Sequence, residues 1–148
     1  MINQQSNSHQ TFILPIRVYY EDTDAGGVVY HSNYLKFFER CRTEWLRQLG
    51  YEMDELAKTD NIMFVVRALN CDYLRPAKFN DELFVSAEII ETGRTSIIFE
   101  QKVMRADNNK VDCEILAKGN VTVVVVDTNK FKPKRMPKQI LESIKSVI

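Results

Sequence analysis

Tyr34, Phe38, Cys41, Trp45 and Leu49 follow one another at spacings of four, three, four and four residues. That spacing lays them along one face of an α-helix. Ser32 or Asn33 supplies a cap and Gly50 a stop signal, so the helix is expected to run to about Leu49. At 1.5 Å per residue it would be ~25 Å long. Leu35, Phe37 and Leu46 widen the apolar arc, and Lys36, Glu39, Arg40, Arg47 and Gln48 are its polar remainder. An arc this wide predicts a helix enfolded by a sheet.

The rest of the chain supplies that sheet. Phe12–Glu21 is rich in β-branched and aromatic residues and predicts a first strand, with Pro15 tolerable at an edge or bulge. A short helix is expected over Glu52–Lys58. Strands are then expected at Ile62–Tyr73, Leu83–Glu91, Ser96–Arg105 and Val111–Asp127. Thr92-Gly93-Arg94 and Asp107-Asn108-Asn109-Lys110 are turn signals, so the last three strands should be antiparallel neighbours. A basic segment, Lys130–Lys138, leads into a C-terminal helix over Lys138–Val147. Residues 1–11 are expected to form a polar, disordered tail, and 12–148 a single domain. Strand, long helix, then four strands in hairpin order gives an α+β fold with a five-stranded antiparallel sheet around the long helix.

Bulk properties exclude several classes of function. The 148 residues carry 20 basic and 20 acidic side chains, a formal net charge of zero. Nucleic acid therefore has no whole-chain electrostatic attraction to exploit. No run approaches the ~20 apolar residues of a membrane span, and the N-terminus lacks a signal-peptide pattern. Cys41, Cys71 and Cys113 show no metal-ligand spacing and are expected as buried thiols in a reducing compartment. No metal and no cofactor is expected, and His9 in the tail is given no role.

Chemistry concentrates between the first strand and the long helix. Asp24, Gly26, Gly27 and His31 fall within eight residues. Asp24 is a candidate base or nucleophile, although an aspartate before small residues also stabilises turns. His31 is a second proton-handling group or a structural hydrogen-bonding residue. The glycines permit a tight turn and close approach of a ligand. The helix start points unpaired N–H groups at the loop, with Tyr30, His31 or their neighbours as oxyanion donors. Acid, acid/base partner and oxyanion donors together suggest hydrolysis of an activated acyl group.

The words Tyr20-Glu21-Asp22-Thr23-Asp24-Ala25-Gly26-Gly27-Val28-Val29-Tyr30-His31 and Asn33-Tyr34-Leu35 resemble the active-site signature of the 4-hydroxybenzoyl-CoA thioesterase family. Arg40–Leu46 and Tyr73-Leu74-Arg75-Pro76-Ala77 extend the likeness, and the element order fits over residues 12 to 135. The histidine at His31 favours the branch of small acyl-CoA thioesterases associated with the bacterial Tol–Pal envelope system. The resemblance implies the hotdog fold and hydrolysis of acyl-CoA to free acid and CoA.

Asp24 is then the catalytic carboxylate, as nucleophile or general base, with His31 catalytic and Tyr20 orienting the acid. Coenzyme A is part of the substrate, and its phosphates call for basic residues, with Arg75, Lys118, Lys134 and Arg135 as candidates. Met63, Phe64, Val65 and Val66 are candidates for the acyl pocket and serve equally as core. A homo-oligomer is expected, a dimer or a tetramer of dimers, with the site between protomers. The implied location is cytoplasmic, with room for peripheral contact with envelope or lipid-synthesis proteins at the inner membrane. A hotdog hydroxyacyl-thioester dehydratase and a non-catalytic acyl-thioester binder are the alternatives.

Overall fold

In the computed structural model, which describes residues 11–106 and 114–147, the elements run β1 (Phe12–Arg17), α1 (His31–Gln48), α2 (Met53–Thr59), β2 (Ile62–Tyr73), β3 (Glu82–Thr92), β4 (Ser96–Arg105), β5 (Glu114–Asp127) and α3 (Lys138–Lys145). The five strands form one antiparallel sheet in the order β1-β3-β4-β5-β2. The expected antiparallel run of the last three strands is present. The expected turn at 107–110, Val111 at the start of the last strand, Cys113, His9 and nearly all of the expected tail lie outside the described residues.

α1 lies in the hollow of this sheet. Its stripe is buried: Phe37, Phe38 and Cys41 have no exposed surface, and Trp45 meets Phe99 edge-on at 5.3 Å. Alternate strand residues complete the core, among them Val85 and Ala87 on β3, Ile97 and Phe99 on β4, and Val121 and Val123 on β5. Register shifts at Val66/Ala68, Ile89/Glu91 and Val103/Met104 bend the strands, which helps the sheet curve around the helix. α3 buries Ile140 and Ile144 in the same core, and Tyr51 at the exit of α1 bonds Ser143 Oγ at 3.0 Å. Burial pushes the Cys41 thiol up to about 12, which keeps it protonated.

The bounds of α2, β3 and α3 move by one or two residues from expectation, and two boundaries beside the β1–α1 loop differ in kind. β1 stops at Arg17, not Glu21, because its partner β3 begins opposite it at Glu82. Tyr20–Asp22 forms a 3-10 turn instead. α1 begins at His31, ahead of both expected caps, with Tyr30 in the capping position and no side-chain cap. The Asn33 side chain is engaged elsewhere, on Asp22. Among the described residues no helix is long and apolar enough to cross a membrane.

Candidate active site

The loop joining β1 to α1 is fixed by a buried carboxylate. Asp22 is only 5% exposed. Its Oδ2 accepts the Tyr19 N–H at 2.8 Å and its Oδ1 accepts the Asn33 side-chain amide at 2.9 Å. Its backbone carbonyl accepts the Tyr30 N–H at 2.9 Å. One residue thus ties the strand exit to the helix entry. Between these anchors Thr23 pairs with Val29 in an antiparallel bridge, and the Gly27 N–H donates to the Asp24 carbonyl at 3.0 Å.

That turn needs its glycines. Gly27 has φ +78°, a conformation costly for a side chain. A Cβ on Gly26 would stand 3.2 Å from Asp24 Oδ1. That same oxygen accepts the Gly26 N–H at 2.8 Å. Asp24 is exposed, and its Oδ2 has no hydrogen-bond partner among the described residues. One oxygen holds the carboxylate and the other faces solvent.

The uncapped start of α1 lies across the hairpin from it. The Asn33 N–H donates to the Tyr30 carbonyl at 2.8 Å, and the Tyr30 N–H is engaged by Asp22. The N–H groups of His31 and Ser32 have no partner among the described residues. The available donor pair is therefore His31 and Ser32, and Tyr30 is withdrawn from it. The His31 carbonyl accepts the Tyr73 hydroxyl at 3.0 Å, and that contact ties the helix entry to the end of β2. Burial, first of all, pushes the Tyr73 hydroxyl up to about 12, so it stays a donor. His31, Tyr34, Tyr73 and Arg75 line a shallow depression of about 270 Å³.

The other expected site residues are dispersed within one chain. Tyr20 sits in the 3-10 turn, not on a strand end; its ring is 79% exposed and lies against Phe79 at 4.7 Å. Its carbonyl, rather than its hydroxyl, meets the loop, accepting the Thr23 N–H at 3.1 Å and the Thr23 hydroxyl at 2.9 Å. Arg75 lies beside His31, 3.7 Å from Glu114. Lys118 pairs with Asp72, so it shares that residue's face of the sheet, out of phase with Tyr73. Lys134 is at the far end of β2, donating to the Asp60 carbonyl at 2.8 Å, and Arg135 is exposed next to it. The strand between these ends spans roughly 36 Å.

Strand alternation also splits the expected acyl-pocket block. Phe64 and Val66 line a cavity of about 340 Å³ between α1 and the sheet, with Trp45, Phe99 and Val123 among its walls. Met63 and Val65 alternate with them and do not line it. The cavity lies beside Arg42, roughly 16 Å along α1 from His31.

Asp22 and Tyr73 stand in the signature words without a role of their own, Asn33 stands out in the sequence only as a cap, and Ser32 only as a cap or as a neighbour of His31 among the donors. Asp22 carries no local signal of its role. Its link to Asn33 crosses a loop and leaves no periodic signal. Among the described residues no group of three or more His, Cys, Asp or Glu side chains is placed to hold a metal ion.

Comparison with known proteins identifies the family. The thioesterase superfamily model matches residues 26–112. An acyl-CoA thioesterase, YbgC, of Haemophilus influenzae is 46% identical over 129 residues, covering 87% of this chain and 90% of its own. The acyl-CoA thioester hydrolase YbgC of an Escherichia coli O6:H1 strain is 42% identical over 134 residues, covering 90% of this chain and 96% of its own. A solved 4-hydroxybenzoyl-CoA thioesterase in complex with 4-hydroxybenzoyl-CoA superposes with a TM-score of 0.84 at 16% identity, covering 90% of this chain and 98% of its own, a likeness of fold. By sequence and by architecture, the chain belongs to the thioesterase superfamily and has the hotdog fold.

Proposed function

We propose that this protein hydrolyses acyl-CoA thioesters to a free acid and CoA, with Asp24 acting at the thioester carbonyl. The observation that carries this reading is the pairing, across one short hairpin, of an exposed carboxylate with unsatisfied N–H groups at the start of α1. The names borne by the relatives at 42–46% identity agree with it.

Two routes fit the site. As a nucleophile, Asp24 Oδ2 bonds to the carbonyl carbon, the C–S bond breaks, and CoA leaves as thiolate; water then opens the resulting anhydride. As a general base, Asp24 takes a proton from water, the water oxygen bonds to the carbonyl carbon, and the thiolate leaves. Either way negative charge develops on the carbonyl oxygen. The N–H groups of His31 and Ser32, aided by the positive end of the helix dipole, stabilise it there. The His31 ring orients water or protonates the departing thiolate. Tyr20 steadies Asp24 through its carbonyl contacts with Thr23.

Two copies complete the site. β2 ends the sheet, and Val66, Leu69 and Tyr73 along it and Leu74 just past it are between 44% and 56% exposed. Such an edge seeks a strand. Two β2 strands paired antiparallel about their midpoint set Tyr73 of one against Ile62 of the other. That brings His31 and Arg75 toward the partner's cavity and toward the partner's Lys134 and Arg135. Thiol release from a panel of short, long and aromatic acyl-CoAs tests the reading. Turnover of at least one class supports it. Thermal stabilisation by acyl-CoA with no thiol released from any of them would contradict it.

A further inference from the structure

The cavity between α1 and the sheet contains a group that thioester cleavage at Asp24 does not use. Arg42 and Glu39 stand in a largely apolar wall that includes Trp45, Phe64, Phe99 and Val123. Arg42 Nη1 donates to Gln101 Oε1 at 2.9 Å. Gln101 has no exposed surface and lies on the helix-facing side of β4, in phase with Phe99. Its Nε2 donates to the Phe38 carbonyl at 3.1 Å and the Ser86 carbonyl at 3.3 Å. Both partners are pure acceptors, so the amide cannot be reversed, and Oε1 must face Arg42. A buried glutamine with all its polar atoms engaged thus fixes the position of one guanidinium.

That guanidinium is only partly used. Of its five N–H groups, one bonds Gln101, and among the described residues the others have no hydrogen-bond partner and no ion pair. Burial lowers its pKa from the ordinary arginine value, a shift opposed by Glu39, which lines the same cavity. A group with that intrinsic basicity stays charged. Arg42 is half-buried, so in the free protein its spare donors are left to water, and a ligand oxygen entering the cavity would take that place.

We propose that Arg42, held by Gln101, makes this cavity select acyl groups that carry an oxygen acceptor at the end remote from the thioester. A terminal carboxylate would pair with the guanidinium. A terminal hydroxyl would accept from Arg42 and donate to Glu39. The inference rests on the acyl-CoA hydrolase reading and names the substrate class of that same site.

The test compares kcat/KM for matched acyl-CoAs at two lengths, hexanoyl with adipoyl and decanoyl with sebacoyl, together with their ω-hydroxy counterparts. Wild-type protein is expected to favour an oxygen-ended substrate over its plain alkyl match by about tenfold or more, as befits a hydrogen bond to a charged group. The carboxylate and hydroxyl arms show whether charge or hydrogen bonding carries the preference. Arg42→Met should bring that ratio close to one, and Arg42→Lys should leave an intermediate value, since it keeps the charge without the fork. A wild-type ratio near one at both lengths overturns the proposal, whatever the variants do. So does an Arg42→Met protein that loses rate on all substrates in equal proportion, which would assign the side chain to packing. The selectivity is also read without turnover, as thermal stabilisation of the Asp24→Asn protein by adipoyl-CoA or sebacoyl-CoA against the alkyl matches. Absence of thiol release by the wild-type protein, with that stabilisation of the Asp24→Asn protein present, would count against the hydrolase reading and for the cavity.

Discussion

A carboxylate as enclosed as Asp22 must have both oxygens satisfied, and they are, by Tyr19 and the Asn33 side chain. Asp22→Ala leaves these two donors without acceptors. The expected cost is ~1–3 kcal/mol of stability, read as a lower urea midpoint. Because the Asp22 backbone also holds Tyr30, the loop should loosen around Asp24, and kcat should fall more than KM rises. A variant with wild-type melting and wild-type kcat would remove Asp22 from the positioning of the loop. At this scale the sequence was informative where chemistry is dense. Asp24, the two glycines and His31 stand out within a few positions. Asp22 and Gln101 do not, because their roles depend on partners 11 and 59 residues away.

The position of α1 follows from its stripe, and its start follows from a competition. Asn33 would cap the helix if its side chain were free; its engagement by Asp22 moves the start to His31 and leaves two donors uncapped. Strand existence was legible from alternation and turn signals, and Ile62–Tyr73 and Ser96–Arg105 match residue for residue. The end of β1 was not, because it is set by where β3 begins, a tertiary fact. The same alternation decides which half of Met63–Val66 meets the cavity. The open edge of β2 yields an element-scale prediction. Leu69→Asp sets like charges near the proposed two-fold axis, so sedimentation should shift toward monomer and thiol release should fall with it. A fully active monomer at assay concentration would contradict the shared site.

At the scale of the whole molecule, the proposed pairing of two copies along β2 would bring Arg75 of one toward the basic segment at Lys134 and Arg135 of the other. Arg75 sits beside His31, whereas Lys134 is bonded to the Asp60 carbonyl and lies 3.7 Å from Asp127. Arg75→Ala and Arg135→Ala are expected to raise KM for acyl-CoA several-fold with little change in kcat, because contacts to phosphate lie far from the reacting carbon. Acyl-pantetheine substrates, which lack the nucleotide, should show no such rise. Lys134→Ala should lower melting temperature as well, since it loses a tether between the segment after β5 and Asp60. Equal KM changes for both substrate types would place the arginines outside the nucleotide site.

The central claim is that the Asp24 carboxylate performs the chemistry. Thiol release by Asp24→Asn protein, at wild-type oligomeric state and melting temperature, tests it most directly. Asparagine keeps the shape and still accepts the Gly26 N–H, but it can neither attack as a carboxylate nor take a proton. Turnover should fall by ~100-fold or more, with acyl-CoA binding retained, and His31→Ala should cost less. Near-normal thiol release from well-folded Asp24→Asn protein would contradict the account.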